Sequence, residues 1–132
     1  MQPLIFEHPI QVQPAHLDGN DHVNNVVYVQ WIQDIATMHW ETSALPEHQR
    51  DYFWVVLRHE IDYKSPAWAN DWITLRTWMN GIDGLKVERR TEIIRTSDQK
   101  ILVAARTLWC MLDKKTQRPQ RVSDAVAAPF VQ

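Results

Sequence analysis

The residues best suited to chemistry lie close together between positions 16 and 25. They bring a carboxylate, an imidazole and three carboxamides into one short polar stretch: Asp18, His22, Asn20, Asn24 and Asn25. A positioned carboxylate can activate water or attack a carbonyl carbon itself. An isolated Asp in a loop more often binds nearby backbone N–H groups. The clustering of these groups favours acid–base or nucleophilic chemistry at Asp18.

An apolar segment without Gly or Pro follows this polar stretch, over residues 26–40. Polar residues recur three or four positions apart within and just after this segment, as on one stripe of a helix. They are Gln30, Gln33, Asp34, Thr37 and Glu41. Asn24 or Asn25 is a suitable N-cap, so Asp18 and His22 precede the positive end of the helix dipole. Backbone donors there could hold an oxyanion, which suits thioester hydrolysis.

Other chemistries at this cluster are less well supported by the sequence. A metal site from His16, Asp18 and His22 would lack a fourth ligand. The sequence contains no GxSxG elbow and no recognisable Cys/His pair. His22 alone could also be a packing residue. No metal or cofactor is therefore expected.

One strand is predicted before the helix and four after it. The extended segments are residues 4–13, 52–63, 72–80, 85–96 and 101–112. The segment 52–63 is interpreted as a long central strand, and Asp83-Gly84 as a hairpin turn. Because short turns join antiparallel neighbours, we predict an α+β fold in which a curved antiparallel sheet wraps around the helix. A free sheet face or edge could support a dimer.

Length and composition narrow the class of protein. The 132 residues predict one domain spanning 1–132. A net charge of −2 does not favour nucleic-acid binding. A single cysteine, Cys110, indicates a reducing, cytoplasmic location. No targeting or membrane-spanning segment is recognised.

Charge is distributed unevenly along the chain. Residues 1–71 hold 3 Lys or Arg against 10 Asp or Glu, and residues 72–132 hold 11 against 6. A solvated sheet face explains such a bias, and so does a site for an anionic ligand. The candidate phosphate ligands are Lys86, Arg89 and Arg90. On a strand, Lys86 and Arg90 share one face and Arg89 lies on the other.

The run LDGNDHVNNVVYVQWIQDIA, residues 17–36, resembles the signature of hotdog-fold thioesterases. The similarity extends to two groups, the 4-hydroxybenzoyl-CoA thioesterase-like acyl-CoA thioesterases and the acyl-ACP thioesterases. IDYKSPAWAND resembles a strand and turn of that family, and MLDKKTQRP resembles its closing strand. The resemblance implies a hotdog fold, homodimers or homotetramers, and active sites between two protomers.

The resemblance also implies roles for individual residues. Asp18 matches the catalytic Asp, and Asn20 and His22 match the Asn and His of the acyl-ACP group. Asn24, Asn25 and Tyr28 match the rest of the motif and are candidate substrate-binding residues.

The chain departs from the family pattern at several positions. His16 and Asp21 stand where the acyl-CoA group usually has Asp and Gly. Pro66 and Ala67 stand where the acyl-ACP group has a catalytic Glu or Cys. That group also usually has two fused hotdog repeats, where one is recognised here.

Together these features predict an acyl-thioester hydrolase acting on acyl-CoA or acyl-ACP. A non-catalytic acyl-CoA binding or sensing module on the same fold is the alternative. A sensor would be expected to carry a DNA-binding segment, and none is recognised within the sequence. A hotdog dehydratase is a weaker third possibility, because its His-containing signature is missing.

Overall fold

A curved antiparallel sheet packs against one long helix in this computed structural model, which describes residues 2–132. The strands are β1 (Phe6–Gln11), β2 (Tyr52–Tyr63), β3 (Trp72–Asp83), β4 (Lys86–Arg95) and β5 (Lys100–Asp113). The helices are α1 (Asn25–Ser43), α2 (Pro46–Asp51) and α3 (Asp124–Ala127). This architecture confirms the predicted α+β hotdog fold. The short helices α2 and α3 were not predicted.

The strands follow the order β1-β3-β4-β5-β2 across the sheet. β1 lies at one edge, and β3, β4 and β5 are joined by short turns, as predicted. β2 lies at the other edge and pairs with β5. The interpretation of residues 52–63 as a central strand is therefore wrong, because an apolar strand at an edge has the same composition as a buried one.

The chain passes from β2 to β3 through a crossover segment, residues 64–71, that runs past the ends of β5 and β4. The backbone N–H groups of its first two residues donate to the Leu102 carbonyl oxygen at 2.8 and 3.1 Å. Arg95 contacts the segment at two points, 3.2 Å from Asp71 and 3.0 Å from the Pro66 carbonyl oxygen. Strands joined by short turns were predicted to be neighbours. This prediction is wrong for β2 and β3, because the segment between them spans β5 and β4.

Irregular pairing curves the sheet toward α1. The register shifts between Val56 and Arg58, between Met79 and Gly81, and between Ile93 and Ile94. An extra residue on one strand bends it and increases its twist. In β2 the extra residue is Leu57, which is 50% exposed.

α1 has one face in the core and one stripe in solvent, as its sequence pattern predicted. The buried residues are Tyr28, Trp31, Ile32, Ile35, Ala36 and His39. The exposed stripe includes Gln30, Thr37 and Glu41, and begins with Val26, which is 72% exposed. No helix in the described part of the chain combines the length and hydropathy needed to cross a membrane.

The C-terminal segment closes the second half of the core. Ser123 caps α3 by accepting a hydrogen bond from Val126 N–H at 3.3 Å. The Leu4 N–H donates to the Phe130 carbonyl oxygen at 2.9 Å, which ties this segment to the N-terminus. Phe130 is fully buried in a cluster with Met79 and other apolar residues of β4 and α3.

Candidate active site

The loop before α1 is folded around the Asp18 carboxylate. Asp18 Oδ1 accepts hydrogen bonds from the backbone N–H groups of Asn20 at 2.8 Å and His22 at 3.2 Å. The Asp18 N–H donates in return to the His22 carbonyl oxygen at 2.7 Å. Asp21, between them, has a φ of 61°, a left-handed conformation that Asp and Asn adopt more readily than most residues. The carboxylate is exposed and is fixed through one oxygen.

His22 joins this loop to the crossover segment. It forms an antiparallel bridge with Trp68, and the two rings meet edge to face with centroids 4.1 Å apart. The next residue, Val23, donates its N–H to the Ala67 carbonyl oxygen at 3.0 Å. The His22 N–H donates to Asp18 and is therefore not free to polarise a thioester carbonyl.

The head of α1 offers a free backbone donor where the Asp18 loop ends. Asn24 is the N-cap, one of the two candidates predicted, and its Oδ1 accepts from Val26 N–H at 3.0 Å. The Asn24 N–H donates to the His16 carbonyl oxygen at 2.9 Å. The Asn25 N–H has no hydrogen-bond partner within residues 2–132. Because it lies at the positive end of the dipole, it can stabilise an oxyanion.

Tyr28 links α1 to the crossover segment from inside the core. Its side chain is 2% exposed, and its hydroxyl oxygen accepts a hydrogen bond from the Ala67 N–H at 3.0 Å. Burial raises the pKa of Tyr28 above its usual value. The structure therefore places this predicted substrate-binding residue in the core, where it holds the crossover segment against α1.

We expect Tyr28→Phe to lower the free energy of unfolding by about 1–3 kcal/mol, because the buried Ala67 N–H would lose its acceptor. Denaturant unfolding measures the change. Tyr63→Phe is the matched control, since Tyr63 is 46% exposed and touches the Tyr28 ring at 5.9 Å between centroids. Equal small effects of the two substitutions would show that the Tyr28 hydroxyl does not support the crossover segment.

The possible metal ligands do not come together. His16 Nδ1 accepts from the Gln13 N–H at 2.9 Å, and its ring lies edge-on to Trp31. Across residues 2–132, no group of three or more His, Cys, Asp or Glu side chains is placed to hold a metal ion. The set of His16, Asp18 and His22 does not form such a group.

The two exposed candidate phosphate ligands lie on the sheet face that points away from α1. Lys86 and Arg90 share this outer face of β4, as predicted. Arg90 Nε is 3.1 Å from Glu88 Oε2, and Arg106 and Asn80 also bind Glu88. Burial alone would raise the pKa of Glu88, but these hydrogen bonds lower it to about 2. Arg90 is thus already paired with a firmly ionised carboxylate.

Arg89, the third candidate, is inside the protein. It points to the inner face of β4, and one guanidinium nitrogen lies 2.9 Å from His39 Nδ1 and 3.2 Å from Thr77 Oγ1. Arg89 was predicted as a candidate phosphate ligand from its charge alone, and its side chain is only 7% exposed. The inward direction was readable from strand alternation, but its burial depends on α1.

Sequence reasoning missed a polar strip that continues from Arg89 toward β2. Thr107 lies beside Arg89 in the register of β4 and β5, and its Oγ1 is 2.8 Å from His59 Nδ1. His59 Nε2 is in turn 3.4 Å from Gln33 Nε2 on α1. Burial lowers the pKa of His59. A histidine at an inward position of an apolar strand was the signal for this strip.

The model of the acyl-ACP thioesterase N-terminal domain matches residues 3–130. The chain belongs to this family. It is 23% identical to the acyl-[acyl-carrier-protein] hydrolase FATB2 of Cuphea viscosissima, over 93% of this chain and 32% of that protein. It is also 23% identical to the long-chain acyl-CoA thioesterase FadM of Escherichia coli, over 83% of this chain and 84% of that protein. The chain thus spans about a third of the length of that plant relative.

Solved structures of other thioesterases share the fold. The probable thioesterase YbaW of Escherichia coli superposes with a TM-score of 0.83 at 22% identity, covering 96% of this chain and 98% of that one. An acyl-ACP thioesterase of Bacteroides thetaiotaomicron gives 0.84 at 20% identity, covering 96% of this chain and 52% of that one. These similarities establish the hotdog fold of this domain.

Proposed function

We propose that residues 1–132 form one domain that hydrolyses acyl thioesters, with Asp18 as general base or nucleophile. The observation that carries this proposal is the Asp18 carboxylate, fixed in the loop that leads into α1, at whose head the Asn25 N–H is free. The backbone bonds of Asp18 use Oδ1, so Oδ2 can meet water or the acyl carbon.

The geometry supports a simple reaction sequence. Acting as a base, Asp18 takes a proton from water while the hydroxide adds to the thioester carbon. The Asn25 N–H and the helix dipole stabilise the negative charge that develops on the carbonyl oxygen. The carbon–sulfur bond then breaks and the thiolate leaves. Because a thiol has a pKa of about 8.5, the leaving group takes up a proton readily.

Asn20 and His22 keep their proposed catalytic roles, and Asn25 keeps its proposed role in substrate binding. The side chains of Asn20, Asn25 and the half-buried His22 lie around the Asp18 loop, where a thioester would approach. Lys86 and Arg90 lie on the other side of the sheet, so within one protomer they do not reach Asp18. We propose a cytoplasmic location, because the single cysteine, Cys110, is buried and cannot form an internal disulfide.

We further propose that the domain works as a homodimer joined through β2, or as a homotetramer made of two such dimers. β2 is an apolar edge strand, and such edges are prone to pair with another chain. In an antiparallel pair of β2 strands, the start of one strand lies near the end of the other. Tyr63 at the end of β2 contacts Tyr28 in α1. The start of one β2 would therefore lie near the Asp18 loop of the partner.

Leu57→Lys should convert the protein to monomers and reduce thioester turnover, because it places a charge on the open edge of β2. Light scattering coupled to size exclusion measures the mass. Ile82→Lys is the control, since Ile82 is an exposed residue near the β3–β4 turn, away from β2. A protein that stays monomeric at high concentration and still hydrolyses thioesters would count against this assembly.

A thiol-release assay on matched acyl-CoA and acyl-ACP substrates tests the proposed activity. We expect release from at least one of the two carriers. The alternative, a non-catalytic acyl-CoA binding module, predicts saturable binding without thiol release on any acyl chain. That result would overturn the hydrolase proposal.

A further inference from the structure

A second polar site lies at the opposite end of α1 from Asp18. A cavity of about 320 Å³ opens between the C-terminal half of α1, the start of β2 and the inner faces of β3, β4 and β5. Its apolar lining residues include Trp40, Trp54, Met79, Val87, Trp109 and Phe130. A concave, mostly aromatic cavity of this size suits a small organic group.

Arg89 also lines this apolar cavity. Its side-chain partners are His39 Nδ1 at 2.9 Å and Thr77 Oγ1 at 3.2 Å, and Thr77 uses its own proton to bond the Arg90 carbonyl oxygen. Within residues 2–132, no Asp or Glu forms an ion pair with Arg89. A buried guanidinium without a carboxylate is unusual, because burying an unpaired charge is costly.

The partners of Arg89 are electrically neutral. Burial, followed by the positive charge of Arg89, lowers the pKa of His39 to about 3, so the imidazole is uncharged at neutral pH and accepts through Nδ1. Burial lowers the pKa of Arg89 to about 10, which still leaves it charged. The cavity therefore holds one net positive charge that no described side chain balances.

A second buried donor, on another residue of the cavity lining, has no partner within residues 2–132. The indole Nε1–H of Trp109 is buried and makes no hydrogen bond with residues 2–132. Of the other charged lining groups, Glu41 is exposed on α1, and Lys114 Nζ donates to the Gln49 carbonyl oxygen at 2.9 Å. Arg89 is thus the buried cation of this cavity, and a ligand oxygen bearing negative charge would balance it.

We propose that this cavity binds the far end of the acyl group and that Arg89 recognises a carboxylate there. The preferred substrates are then thioesters of dicarboxylic acids, with one carboxyl group in the thioester and the other free. A guanidinium binds a carboxylate through paired, charge-assisted hydrogen bonds, which a methyl end cannot replace. This inference rests on the proposed hydrolysis and on the β2 dimer, in which the cavity lies near the partner's Asp18 loop.

The test compares acyl thioesters of equal chain length that end in a carboxylate or in a methyl group, on whichever carrier supports thiol release. For wild type we expect a higher kcat/KM with the carboxylate at one or more lengths. Arg89→Met should lower the ratio of the two kcat/KM values by about 100-fold. Arg76→Met is the matched control, because Arg76 lies on the outer face of β3, paired with Glu7 at 2.9 Å.

A preference for methyl-ended chains at every length, or an unchanged ratio in Arg89→Met, would overturn the inference while leaving hydrolysis intact. If no thioester is cleaved, the proposed function fails. The binding of free acids then still tests whether Arg89 recognises a carboxylate. Free dicarboxylic acids should then raise the melting temperature of wild type more than monocarboxylic acids of equal length do. Arg89→Met should abolish that difference, and no difference in wild type would refute carboxylate recognition.

Discussion

Asp18→Asn should reduce thioester turnover by at least about 100-fold, the scale of a lost general base. Asn retains an oxygen that can accept from the Asn20 and His22 N–H groups, so the loop should keep its shape. It lacks the negative charge needed to activate water or attack the acyl carbon. Because Asp18 is exposed, the melting temperature should barely change. Steady-state kinetics and thermal unfolding measure the two effects.

Asp21→Asn is a close control for this substitution. Asp21 is the neighbouring exposed carboxylate, and Asn tolerates its left-handed backbone well. Its turnover should stay near that of wild type. If Asp18→Asn instead altered stability and left turnover nearly intact, Asp18 would be a structural residue of the loop.

The same kinetics on Asn20→Ala and His22→Ala distinguish two mechanisms. Large losses at both residues, comparable with that at Asp18, would favour the mechanism of the acyl-ACP group. A modest loss at His22 would favour the acyl-CoA type, in which backbone donors suffice. The structure adds a reason to expect the second outcome. Ala67 stands at the position where the acyl-ACP group has a catalytic Glu or Cys. It is fully buried and contributes only its backbone groups, which bind Val23 and Tyr28.

Phe130→Ala should lower the free energy of unfolding by about 3–5 kcal/mol, as removal of a buried aromatic ring does. The Phe130 ring stacks on Trp40 with centroids 5.8 Å apart and meets His39 edge to face at 4.8 Å. Since domains are stable by only about 5–15 kcal/mol, the loss is a large fraction of the total. Denaturant unfolding of wild type and variant measures it.

Val131→Ala is the control for Phe130, because Val131 is only half-buried at the adjacent position. We expect its cost to be near the typical value of about 1 kcal/mol for a point substitution. Similar small losses for the two variants would mean that the C-terminal segment does not complete the core.

The main elements of the fold were predictable because their signals are local. The polar stripe of α1 and the cap at Asn24 follow from helical spacing and side-chain chemistry, and the structure has both. The edge position of β2 was not predictable, since an apolar strand at the edge of a sheet has the same composition as one at its centre. α3 has only four residues, too few for a periodic pattern.

In the candidate site, too, the features encoded locally in the sequence were predictable and those assembled from distant elements were not. The Asp18 loop is continuous in sequence, so its groups could be recognised together. The surroundings of Arg89 come from α1, β3 and β4, which are distant in the chain. Strand alternation separated Arg89 from Lys86 and Arg90, but only the packed helix shows that it is buried beside His39.

The most direct measurement follows acid and thiol together in water enriched in the heavy oxygen isotope, over many turnovers. With wild type we predict equal amounts of free acid and thiol, with one heavy oxygen in each acid molecule. Both products should form well above the rate of hydrolysis in buffer alone. With Asp18→Asn we predict a rate close to that in buffer. Thiol release without labelled acid, or equal rates for the two proteins, would contradict hydrolysis driven by Asp18.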